Sequence, residues 1–147
     1  MVDNPPEGCQ RVIPYLSYDD AEAALAFLKT AFGFEERMRM PGPDGRIMHA
    51  ELGYQDNIVM LASVYEEMGA KSPKALGARH TTVLCYVDDV DAHFARAKAA
   101  GATILSEPED KFYGDRMYGA DDPGGHRWYF ATHVKDVAPE DMHPPAC

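Results

Sequence analysis

Internal repetition constrains this chain more than any other feature. Asp88-Asp89 lies 69 residues after Asp19-Asp20, and Ala131 lies 69 residues after Ala62, so the two halves read at one offset. Each acidic pair stands between an apolar run and an alanine-rich run. Carboxylate oxygens there accept hydrogen bonds from the free amides that open a helix. In the first half residues 11–18 read as a strand and 21–32 as a helix, with Ala24, Leu25, Leu28 and Phe32 at helical spacing and Gly33 ending it. Residues 35–40, 46–54 and 58–62 read as strands, divided by the Pro41-Gly42-Pro43-Asp44-Gly45 and Gln55-Asp56-Asn57 turns. The second half repeats the plan. Residues 81–87 read as a strand, 90–100 as a helix with Val90, Phe94 and Ala97 buried, and 102–105, 116–120 and 128–133 as strands, with a loop from Pro108 to Gly114. A β-α-β-β-β unit used twice is an α+β design.

Composition sets the remaining bounds. At 147 residues, 46% hydrophobic and 26% charged, the chain fits one globular domain, and no run approaches the roughly 20 apolar residues of a membrane helix. Fourteen Lys and Arg against 24 Asp and Glu give a net charge of −10, which repels nucleic acid and anionic lipid and favours cationic ligands. Cys9, Cys85 and Cys147 are too few and scattered for a disulfide frame, and the opening MVDNPPEG lacks a secretion pattern, so a cytoplasmic setting is expected. Proline-rich tails at 1–10 and 138–147 flank a single domain at 11–137, with modules at about 11–63 and 80–133 and a connector at 64–79.

Four stretches carry a family likeness: Val12-Ile13-Pro14-Tyr15-Leu16, His49-Ala50-Glu51-Leu52, Gly69-Ala70-Lys71-Ser72-Pro73-Lys74, and Tyr113-Gly114-Asp115-Arg116 followed by Asp122-Pro123-Gly124-Gly125-His126-Arg127-Trp128. With the doubled unit, they resemble the vicinal oxygen chelate superfamily of glyoxalases, bleomycin-resistance proteins and dioxygenases, and most of all its uncharacterised glyoxalase-like branch. The resemblance implies two βαβββ modules forming curved mixed sheets with a concave cup and helices on the outer face. It also implies a homodimer, its modules paired within one chain or swapped between two. Enzymes of this superfamily place a metal ligand on the first and fourth strand of each module. Those positions fall here on Ile13, Met60, Thr82 and Tyr129. None offers imidazole or carboxylate, so no metal and no cofactor are expected.

The resemblance and strand alternation together give a candidate pocket. His49 and Glu51 share one face of their strand while Met48, Ala50 and Leu52 turn to the helices. Tyr15 follows Ile13 by two residues and Tyr86 follows Thr82 by four, so both share the face of the tracked positions. The ligand-binding set is therefore Tyr15, His49, Glu51, Met60, Thr82, Tyr86 and Tyr129, suited to stacking on a small organic molecule. Metal-independent binding, as in antibiotic or metabolite sequestration, is the leading expectation. The alternative is a lyase, isomerase or transferase with His49 or Glu51 as general base, and a third reading is an interaction module with an empty cup. His80 reads as a cup-rim or strand-entry residue, His126 as a turn support, His93 as a surface group, and His133 as a strand end. Asp115-Arg116 and Arg127 read as structural ion pairs. Trp128 reads as core, and Cys85 as a small buried hydrophobe rather than a nucleophile. Zinc-protease, zinc-ribbon and serine-hydrolase patterns are missing.

Overall fold

The two acidic pairs act as helix starts. In the computed structural model, which describes residues 2–147, Asp20 Oδ1 accepts from Ala23 N at 3.0 Å and Asp89 Oδ1 from Ala92 N at 3.0 Å. These caps open α1 (Ala21–Phe32) and α3 (Val90–Ala99). Gly33, at φ 78°, ends α1 in the left-handed conformation that glycine adopts without strain. Between them α2 (Pro73–Leu76) lies in the connector, capped by the buried Ser72, whose hydroxyl accepts from Ala75 N and donates to Asp19 at 2.7 Å.

Eight strands follow the repeat: β1 (Tyr15–Tyr18), β2 (Glu35–Pro41), β3 (Ile47–Tyr54) and β4 (Asn57–Ser63), then β5 (Val83–Tyr86), β6 (Thr103–Asp110), β7 (Asp115–Asp121) and β8 (Arg127–His133). They form two four-stranded mixed sheets, ordered β1-β4-β3-β2 and β5-β8-β7-β6, with β1 parallel to β4 and β5 parallel to β8. Two expectations on strand extent fail. Residues 11–14 and 81–82 lie ahead of their strands; in the first module Pro14 has no amide to donate and only its carbonyl meets the ladder, from Met60 N at 2.9 Å. Conversely β6 runs through the stretch expected to be a loop and contains Pro108. That strand is an edge, and its pairing shifts register between Ser106 and Glu109, where the missing amide goes unused.

Both modules contribute to one core. Leu25, Leu28 and Phe32 of α1 are fully buried with Leu52 and Leu61, and Trp128, Tyr118 and Phe130 of the second sheet join them. Phe32 lies 4.7 Å from the Phe130 ring and 5.6 Å from that of Trp128, so the halves meet through aromatic contacts on their helix-bearing sides. His93 corrects the surface reading. It is buried: Nε2–H donates to the Phe32 carbonyl at 2.9 Å while Nδ1 accepts from the Tyr118 hydroxyl at 2.7 Å. The reason is that α3 packs against α1 as well as its own sheet, so the helix side beside the Val90 and Ala97 stripe is also covered. Arg96 adds to the joint by donating to the carbonyls of Thr30 and Lys29, each at 3.0 Å. Met48, expected on the helix side by alternation, is half exposed, and Ile47 is buried in the core instead, where the β2–β3 pairing shifts register between Met40 and Pro41.

Candidate functional site

On the first sheet, strand register assembles the site. Tyr15 pairs with Met60, Met60 with Glu51 and Glu51 with Met38, so four side chains from β1, β4, β3 and β2 form one row. His49 lies in the next row, opposite Met40. The Tyr15 hydroxyl is 2.5 Å from His49 Nδ1, and His49 Nε2 is 3.2 Å from Glu51 Oε1. An ionised carboxylate only accepts, so Glu51 places the imidazole proton on Nε2 and leaves Nδ1 to accept from the phenol. Burial, and then the Glu51 charge, raise the Tyr15 pKa, keeping that phenol protonated. The ring of Tyr15 remains 53% exposed, beside the open thioethers of Met38 and Met40. This line of carboxylate, imidazole and phenol can fix a ligand's orientation or pass a proton, and the apolar groups around it can stack.

The second sheet carries the other part of the expected set. Tyr129 pairs with Leu84 on β5 and with Gly119 on β7, and Tyr86 stands two residues beyond Leu84 on the same face. The Tyr86 hydroxyl donates to Asp115 Oδ2 at 2.7 Å. His133 donates to the other oxygen of Asp115 at 2.7 Å through Nδ1 and to Asp136 at 2.8 Å through Nε2. Those carboxylates, Asp136 first, raise the His133 pKa and favour its imidazolium form. This Tyr-Asp-His cluster escaped the sequence reading, although counting back from the Asp122-Pro123-Gly124-Gly125 turn sets His133 opposite Asp115. Arg116 does not pair with Asp115; it reaches Asp91 and Asp110 instead. Arg127 makes the expected bidentate pair, with Asp121.

The expected set thus falls on two open faces. Tyr15, His49, Glu51 and Met60 share the first; Tyr86 and Tyr129 share the second, with Thr82 exposed just ahead of β5. Among the described residues no hydrogen bond or ring contact joins the two groups. Ile13 likewise precedes its strand, so the cross-strand neighbours of Met60 and Tyr129 are Tyr15 and Leu84. A thioether, two phenols and an aliphatic side chain do not fit the divalent metal of the superfamily's enzymes, and among the described residues no group of three or more His, Cys, Asp or Glu side chains is arranged to hold a metal ion. A cavity of about 440 Å³ opens between the modules, lined by Pro14, Ile58, Leu84, Cys85, Tyr86 and Trp128, so that Tyr86 of the expected set borders it as well. Burial pushes the Cys85 thiol up to about 11, so it is no nucleophile. His126 donates through Nε2 to the Ser17 carbonyl at 2.8 Å, a support role.

Residues 12–130 match the family model described as Glyoxalase/Bleomycin resistance protein/Dioxygenase superfamily. The uncharacterized protein Mb0911c of Mycobacterium bovis is 41% identical over 132 residues, covering 88% of this chain and 87% of its own length. Among solved structures, TioX from Micromonospora sp. ML1 is 35% identical with a TM-score of 0.69, over 85% of this chain and 99% of that one. A glyoxalase/bleomycin resistance protein/dioxygenase from Nocardioides shares the fold at 22% identity and a TM-score of 0.65, over 95% of this chain and 90% of its own.

Proposed function

Because the chain belongs to the Glyoxalase/Bleomycin resistance protein/Dioxygenase superfamily, we propose that it binds a small, planar organic molecule without a metal, as a sequestering or carrier protein. The observation that carries this reading is the hydrogen-bonded line Glu51–His49–Tyr15 on an open face with Met38, Met40 and Met60. Tyr15 and the methionines supply the stacking surface, and Glu51 supplies the charge that selects a cationic ligand. A second copy sets its Tyr86 and Tyr129 face, with Thr82 at the edge, against this one, so that the pocket closes in a homodimer. Three free cysteines suit a reducing, cytoplasmic setting.

Calorimetric titration with 9-aminoacridine, set against glucose 6-phosphate, tests the reading. The aromatic cation should bind and the sugar phosphate should not. Tyr15→Ala should weaken the cation's binding about two- to tenfold, the scale of one lost aromatic contact of about 0.5–1.5 kcal/mol, and Glu51→Gln by a similar factor with an unchanged melting temperature. Unchanged affinity in both folded variants would sink the reading.

The 2.5 Å contact between Tyr15 and His49 favours a second reading, a lyase, isomerase or transferase that uses His49 as proton acceptor under Glu51. There His49→Gln would abolish turnover while leaving ligand affinity nearly intact.

A further inference from the structure

The second module's open face carries charge of the opposite sign. Arg127 holds Asp121 through Nε at 2.8 Å and Nη2 at 3.0 Å. Arg79 reaches the same carboxylate through Nη2 at 3.3 Å and donates through Nε to the Gly125 carbonyl at 3.0 Å. Two guanidinium groups on one carboxylate leave one positive charge uncompensated, in a chain whose net charge is −10. Among the described residues Nη1 of Arg79 has no hydrogen-bond partner, while the Arg127 guanidinium also interacts with the Tyr129 hydroxyl. Both arginines line one open depression of about 340 Å³ with His80, Thr81, Thr82 and Tyr129.

The floor beside this charge is flat and aromatic for a local reason. A Cβ on Gly119 would come within 3.0 Å of the Tyr129 ring and 3.2 Å of the Leu105 side chain. Glycine at that position lets the ring lie against β7. Hydrogen bonds to Asp121 are the main reason Arg127 stays firmly protonated, and Tyr129 adds a smaller contribution.

We propose that this depression is a binding site for an aromatic carboxylate. The carboxylate accepts from the free Nη1 group of Arg79, with the Arg127 guanidinium beside it adding positive charge, a recognition that guanidinium suits well, and the ring lies on Tyr129. The hydroxyls of Thr81 and Thr82 border the anion. Tyr129 and Thr82 belong also to the face that the proposed homodimer turns toward the Tyr15–His49–Glu51 line, and Arg79, His80 and Thr81 share a smaller depression with Tyr15; the two readings are told apart because a cation depends on Glu51 and the carboxylate on Arg79.

Titration with 1-naphthoate tests it, with 1-naphthylmethylamine and inorganic sulfate as comparison probes and arginine side-chain NMR signals as the local readout. Naphthoate should bind and shift the Arg79 and Arg127 Nε–H signals, while sulfate binds at least about tenfold more weakly and the amine leaves those signals in place. Arg79→Gln, on an exposed loop, should weaken naphthoate about tenfold. Gly119→Ala should weaken naphthoate but not sulfate, because it displaces the ring and leaves the charge. Asp121→Asn should tighten naphthoate, since it removes the competing anion; a purely structural Asp121 would give the reverse. The site does not exist if folded Arg79→Gln keeps full naphthoate affinity. Sulfate binding as tightly as naphthoate, or the amine shifting the same signals, overturns it equally.

Discussion

Asp122 shows how much one side chain can organise here. It is buried, and its two oxygens accept four hydrogen bonds: from the Tyr18 hydroxyl at 2.5 Å, Trp128 Nε1 at 3.0 Å, and the amides of Gly124 and His126 at 3.0 Å each. Two donors belong to its own turn, one to its own sheet and one to the other module. Asp122→Ala orphans all four in a dry interior and should cost about 3–5 kcal/mol. Tyr18→Phe removes only one and should cost about 1.5–3 kcal/mol, both read from urea unfolding followed by Trp128 fluorescence. Equal stability of Asp122→Ala and the parent would deny the network any structural weight. The turn role of Asp122 is legible in the sequence because it needs only Gly124 and Gly125 nearby. Its bond to Tyr18 is not, because the two residues stand 104 positions apart. The same holds at the candidate site: alternation in β3 pairs His49 with Glu51, whereas Tyr15 reaches His49 only once β4 has come between their strands.

The helices repeat that lesson at the next scale. Asp20 and Asp89 mark where α1 and α3 start, since capping is local chemistry. Which sides of α3 are covered depends on α1, and a histidine whose two ring nitrogens are both satisfied looks from sequence like a surface residue. Burial holds the His93 pKa below its ordinary value near 6.5, with Arg96 acting in the same direction and the Phe32 carbonyl opposing it. The folded chain therefore keeps His93 neutral, while the unfolded chain takes up a proton as pH falls through that ordinary value. Stability from this group is complete above about pH 6.5 and declines below it, by at most about 1.4 kcal/mol per pH unit. Groups elsewhere titrate too, and raised His133 has the opposite sign, so the informative quantity is the difference between the parent and His93→Gln. Urea midpoints at pH 5.5 and 7.5 should move less in His93→Gln than in the parent; identical movement would show that His93 does not report the joint's protonation.

For the whole molecule, the sharing of one core by both modules decides which surfaces are left over. Tyr15, Met38 and Met40 on one sheet and Leu84, Tyr86 and Leu105 on the other are each 40–55% exposed, more apolar surface than monomers usually leave uncovered. Association through these faces predicts sedimentation at twice the 16.3 kDa chain mass at micromolar concentration. A single species at chain mass across a hundredfold dilution would remove the dimer and the closed pocket with it.

The aromatic joint also bears on timing. Phe32, Trp128, Phe130 and His93 pack ring against ring across the joint, while the hydrogen-bonded line of Tyr15, His49 and Glu51 lies within the first sheet alone. A ligand reaching a lone chain meets a surface already built and needs no gate to swing. Should two chains close over it, the clock for its escape becomes the lifetime of the pair, a first-order quantity, so that dilution alters how many ligands are enclosed and not how long each one stays.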